Sequence, residues 1–172
     1  LLATGCLKAA GATFCFMKKM HTYACTLTWT GNTGTGTSAY RGYERNHTIS
    51  INNKPNLFAS SDPSFLGDPT RYNPEELLLA SLSGCHMLWF LHLCTTHGIV
   101  VVAYTDQPTA TMIENEDGSG QFTEVMLRPE VTIAKAKQLS LLNELHHQAN
   151  KLCFIARSVN FAVLHSATGK IE

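Results

Sequence analysis

Between Asn73 and about Thr96 the chain carries a predicted helix whose apolar residues go all the way round. Asn73 is a good N-cap, Pro74 fits the first turn, and Glu76 stands where a capping box needs its acid. Leu77, Leu78, Leu79, Leu82, Met87, Leu88, Trp89, Phe90, Leu91 and Leu93 follow, and the stop comes near Gly98. A helix apolar on every side is buried on every side. It is too short, and too punctuated by Ser, Gly and His, to be read as a bilayer span. It is therefore expected to be the central helix of the fold, covered in part by a second copy of the chain.

Strands surround it. Tyr23, Cys25, Leu27 and Trp29 alternate with Thr22, Ala24, Thr26 and Thr28, which predicts a half-buried strand. A Gly/Thr/Asn turn over 31–36 leads to a second strand over Tyr40–Ile51. Residues 52–72 are rich in Pro, Ser, Asp and Gly and read as a long ordered loop. Beyond the helix, Ile99–Tyr104 is a β-branched strand, and Ala110–Ile113 with Phe122–Ile133 are hairpin arms around Asp117-Gly118-Ser119-Gly120. Leu139, Leu142, Leu145 and Ala149 mark an amphipathic second helix ending near Leu152, and Val159, Phe161 and Val163 a last strand. The order is β-β-α-β-β-β-α-β, a single α+β domain over residues 17–172. The first sixteen residues have no clear period and are expected to be an extension outside the fold, with Met17 as a natural start.

Charge narrows the partners. Thirteen Lys and Arg balance thirteen Asp and Glu. A neutral chain has no broad electrostatic hold on nucleic acid or an anionic membrane. With 44% hydrophobic residues among 172, it is long and apolar enough to bury a core. The six cysteines, at 6, 15, 25, 85, 94 and 153, include no CxxC pair. That usage suits free thiols in a reducing, cytoplasmic setting.

Chemistry-bearing residues gather on the helices. Cys85 follows the small residues Ser81, Ser83 and Gly84, and Cys153 lies just past the second helix. Taken alone, both read as small buried hydrophobes, as most free cysteines are. His86, His92 and His97 on the first helix and His146-His147 on the second leave a His/Cys metal site open, though none shows i, i+4 ligand spacing.

Asn73-Pro74-Glu75-Glu76-Leu77, with Cys85 ten positions after Glu75 and Cys153 near the end of the next helix, resembles the signature of the OsmC/Ohr family of thiol peroxidases. The resemblance spans roughly His21–Ala167. It implies the OsmC-like fold as an intertwined homodimer, and reduction of organic hydroperoxides in oxidative-stress defence. Cys85 would be the peroxidatic thiol, Cys153 the resolving thiol and Glu75 the acidic residue. An external dithiol, of lipoyl or small-thiol type, would be the reductant, and no cofactor or metal is implied. The family also uses an arginine. Where one branch has it, ten residues before the Glu, this chain has Phe65, and the early loop used by the other branch has none. Arg41, Arg45 and Arg71 remain, with Arg45 favoured and Arg71 next. The family often has Cys-Pro at the second cysteine, where this chain has Cys153-Phe154.

Ten helical residues span about 15 Å, so Glu75 cannot touch Cys85 along one straight helix. Two helices crossing about a two-fold would bring Glu75 of one copy toward Cys85 of the other. A non-catalytic OsmC-like domain binding a small apolar ligand is the alternative.

Overall fold

The computed structural model describes residues 19–172 and, ahead of them, only two short backbone strands, β1 (Cys6–Ala9) and β2 (Ala12–Cys15), paired antiparallel with each other. Met17 lies outside the described residues, as do positions 1–5, 10–11 and 16 of the expected extension.

The element that orders everything else is α1 (Pro74–Thr96). Its capping box is complete: the Asn73 side chain accepts from the Glu76 N–H at 2.8 Å, and the Asn73 N–H donates to Glu76 Oε2 at 3.1 Å. Gly98, at φ +65°, takes the chain out of the helix in a conformation few other residues adopt. By length and composition α1 is the one helix among the described residues that could cross a bilayer. Its buried stripe of Leu82, His86, Phe90, Leu93 and Cys94 makes it a core helix. The all-round burial expected of it is not reached within one chain, where Leu88 stays 64% exposed.

Before α1, β3 (Thr26–Trp29), β4 (His47–Ser50) and β5 (Leu57–Ala59) form an antiparallel sheet. β3 is shorter than the alternation predicts and is exposed on both faces, with Leu27 62% exposed, because nothing among the described residues covers it. β5 and a single 3-10 turn, Pro63–Phe65, lie within the segment expected to be a loop. Gly67 makes that segment's tightest approach: a Cβ there would sit 1.6 Å from the Ser61 carbonyl oxygen.

After α1 the chain runs β6 (Val101–Asp106), β7 (Thr109–Glu114), β8 (Gly120–Leu127) and β9 (Pro129–Ile133), then α2 (Leu142–Leu152), β10 (Ala162–His165) and β11 (Thr168–Ile171). β7 and β8 form the expected hairpin. The arm expected over Phe122–Ile133 is two strands, because Pro129 has no N–H for the ladder. Two neighbouring strands break at the same level, at 107–108 and at 166–167, so β6 to β11 form two three-stranded sheets, in the orders β10-β8-β7 and β11-β9-β6, that meet at a crease along one line. Asp106 stands at the crease. Its Oδ1 accepts from the Arg128 N–H at 2.6 Å and its Oδ2 from the Ser83 hydroxyl on α1 at 2.6 Å. One half of the creased sheet packs Val125 and Leu127 on Leu82, and the other packs Val131 and Ile133 on Phe90, Leu93 and the α2 residues Leu142, Leu145 and Ala149. The α+β class and the two-helix plan match the sequence reading, with three further strands before α1 (β1, β2 and β5) and extra breaks after it.

Candidate active site

The packing of α2 on α1 brings Cys85 and Cys153 together. Cys85 is half-buried midway along α1, whereas Cys153 is buried at the residue where α2 ends. Both thiols are free. At Cys153 the backbone turns extended, at φ −62° and ψ 112°. Its N–H still reaches the Ala149 carbonyl at 2.9 Å, and its carbonyl accepts from the Arg157 N–H at 3.0 Å. The chain thus leaves the helix here without the proline that the family often places after the cysteine. The Ala156 N–H points at Cys153 Sγ at 3.4 Å. Burial, and then the neighbouring Cys85 thiol, push the Cys153 thiol up to about 11, so it is held protonated.

Cys85 opens into a cleft of about 900 Å³. Leu88, Trp89 and Phe154 supply its apolar wall, and Trp89 meets Phe154 edge to face at 5.6 Å. Lys54, at the tip of the β4–β5 hairpin, and His92 are the basic residues of the lining. Lys54 was not singled out in the sequence, where it is one cation in a loop outside every motif. His92, seven residues after Cys85, shares its helix face as the spacing requires.

The other expected site residues lie elsewhere in the single chain. Glu75 lines a separate cavity with Asp62, Asn73, Glu76 and Phe122, and its Oε2 is buried with no hydrogen-bond partner. The Arg45 guanidinium donates to the Tyr43 and Tyr40 carbonyls and lies over both rings, at 4.2 and 4.6 Å from their centroids. Arg71 is paired with Asp68 at 3.2 Å. Neither arginine is in the lining of the Cys85 cleft.

His86 and His146 are fully buried beside this site. Their rings share a hydrogen bond, His86 Nε2 to His146 Nδ1, at 3.0 Å, and Phe90 stacks on His146 at 3.8 Å. Burial holds His86 down to about 4 and His146 to about 3, so both are neutral at pH 7. Among the described residues no three His, Cys, Asp or Glu side chains are arranged to hold a metal ion. The buried histidines are a cross-helix core contact.

The family model for OsmC-like protein matches residues 67–166, well over half of the chain. An OsmC-like protein of unknown function from Vibrio cholerae is 30% identical in sequence. It superposes at a TM-score of 0.77 over 86% of this chain and 99% of that one. An organic hydroperoxide resistance protein from Elizabethkingia anophelis is 18% identical, with a TM-score of 0.66 over 90% of this chain and 100% of that one. One from Legionella pneumophila is 12% identical, with a TM-score of 0.62 over 89% of this chain and 99% of that one. At those two identities the likeness is one of fold. No curated protein matches the chain. The capped central helix and both neighbouring thiols lie within the residues that the family model matches, and the chain belongs to the OsmC-like protein family.

Proposed function

We propose that this protein is a thiol-dependent peroxidase that reduces organic hydroperoxides to alcohols. One observation carries the reading: a half-buried thiol at the wall of an apolar cleft with a second thiol beside it. The Cys85 thiolate attacks a peroxide oxygen and the O–O bond breaks. Cys85 becomes a sulfenic acid, and the departing alkoxide takes a proton and leaves as the alcohol. The Cys153 thiol then displaces the sulfenic oxygen as water, and an S–S bond forms. Two electrons from an external dithiol, of lipoyl or small-thiol type, return both cysteines to thiols and release the oxidised dithiol. The Leu88, Trp89 and Phe154 wall suits an organic peroxide over hydrogen peroxide. The four described free thiols fit a reducing compartment such as the cytoplasm.

In this reading the working unit is a homodimer. The exposed β3 and Leu88 supply apolar surface for a second copy to cover, and the unpartnered Glu75 Oε2 awaits a donor from it. Crossing of two α1 helices sets Glu75 of one copy toward Cys85 of the other. Arg71, four residues before Glu75, travels with it, whereas Arg45 is already committed to its own tyrosines. Sizing chromatography should give a dimer at micromolar concentration, and a monomer there breaks this part of the reading.

The decisive experiment is a mass spectrum after one equivalent of cumene hydroperoxide. A loss of two hydrogen atoms with Cys85 linked to Cys153, absent in Cys85→Ser, is expected. An unmodified chain favours the domain that only binds an apolar ligand in the same cleft.

A further inference from the structure

A bond between Cys85 and Cys153 depends on how α2 lies against α1, because one thiol is carried by α1 and the other stands at the end of α2. Most of the contact between the helices is apolar, with Phe90, Leu93 and Cys94 meeting Leu142, Leu145 and Ala149. Such packing is non-directional and by itself permits a small slide or roll. One contact is directional. His86 Nε2 and His146 Nδ1 share a hydrogen bond at 3.0 Å, and their ring planes lie within 4° of each other, as an in-plane N–H···N bond requires. Among the described residues this is the one side-chain hydrogen bond that joins α1 to α2. Phe90, stacked on His146 at 3.8 Å, fixes the tilt of that ring.

The bond stands next to the thiols. His86 follows Cys85 directly, and His146 lies seven residues, or two helical turns, before Cys153. Two turns of helix are stiff, so holding His146 sets where Cys153 stands. Both rings are 1% exposed within a single chain, so a second copy covering Leu88 neither adds a partner nor removes one. The pair also carries a cost that core packing does not require. His86 Nδ1 and His146 Nε2 are buried with no hydrogen-bond partner among the described residues. Two leucines would fill the space without that penalty. What the polar pair adds is register, since any slide leaves both rings unpaired in a dry core.

We infer that His86 and His146 are positioning residues for disulfide closure: their ring-to-ring bond locks α2 in the register that holds the Cys153 sulfur against Cys85. The inference rests on the proposed function only for the use made of that disulfide. Neither histidine lines the Cys85 cleft, and the step they serve is the second one, in which Cys153 bonds to Cys85.

The closing equilibrium is measured without any peroxide. In buffers of reduced and oxidised glutathione, the two cysteine thiols give two hydrogen atoms to the glutathione disulfide. One S–S bond forms in the protein, one breaks in glutathione, and two glutathione thiols are released. The fraction of Cys85–Cys153 bond at each ratio, read by peptide mass after acid quenching, gives the effective concentration of one thiol at the other. His86→Leu/His146→Leu should lower that concentration by roughly threefold to tenfold, while the urea midpoint at pH 7 stays level or rises. His86→Gln/His146→Asn, whose amides set a donor and an acceptor near the Nε2 and Nδ1 positions, should restore it. Ser83→Ala breaks the tie from α1 to Asp106 rather than to α2, and should lower the midpoint with no change in effective concentration. No fall in the leucine pair, an equal fall in the Gln/Asn pair, or an equal fall in Ser83→Ala overturns the inference. If the leucine pair does not fold, His146→Phe keeps the stack on Phe90 without the nitrogen, and there the same fall supports the inference and its absence overturns it. Failure of the intact protein to consume peroxide, with these equilibria as expected, sinks the peroxidase reading and leaves the positioning role standing. No Cys85–Cys153 bond at any glutathione ratio overturns the positioning role.

Discussion

Cys94 and Cys153 are both buried, and burial pushes each thiol up to about 11, yet only Cys153 has another thiol beside it. Cys94 packs in the core with Phe90, Ile99 and Leu145, facing away from the Cys85 cleft. Cys94→Ala should therefore keep peroxide consumption within about twofold while lowering stability by roughly 1 kcal/mol, read from urea midpoints. The pattern alone reads Cys85 and Cys153 as two small buried hydrophobes, and it is the resemblance to a known family that singles them out; the structure sets the two thiols side by side. The cation of the site was not legible in the same way. Arg45 and Arg71 are equally basic in a sequence, and only coordinates show one lying over its own tyrosines and the other paired with Asp68. Lys54 reaches the cleft through a turn 31 residues before Cys85, and nothing local announces that.

Among the elements, α1 was the most legible, since Asn73, Pro74 and Glu76 state its start and Gly98 its end. The strands after it were harder. Apolar residues at alternate positions, Val125 and Leu127 and then Val131 and Ile133, continue past Pro129 as if one strand ran on, and the break depends on a missing N–H. Asp106 was also silent, because its two partners lie 23 and 22 residues away in sequence, on different elements. It ties the helix carrying Cys85 to the strand break. Asp106→Ala removes two hydrogen bonds to a carboxylate and leaves a half-buried hydroxyl and an N–H to find new partners. A loss of roughly 2–3 kcal/mol in thermal or urea unfolding is expected. A loss below about 0.5 kcal/mol would mean that water replaces the carboxylate without cost.

For the molecule as a whole, the two buried histidines set a pH limit. Both have folded-state values far below the 6.5 of an exposed histidine, His86 at about 4 and His146 at about 3. His165 and His147 face them as further bases, and Asp106 partly offsets the shift at His86. The unfolded chain binds protons at these positions between pH 6.5 and about 4, and the folded chain does not. Stability present above pH 6.5 is therefore lost as pH falls through that window. The full shift at His86 alone corresponds to roughly 3 kcal/mol. Urea midpoints at pH 7, 5 and 4 should show this slope, and His86→Leu/His146→Leu should flatten it. A midpoint independent of pH over that range would contradict the burial of the pair. The crease in the sheet has a mechanical consequence of its own. An unbroken sheet would hold a rod along one continuous run, whereas two sheets grip it at two stations along its length. Leu82 is seated against one and Phe90, eight residues on, against the other. Cys85 stands between the two stations, so the bearing of its sulfur toward α2 is set by the frame on either side of it.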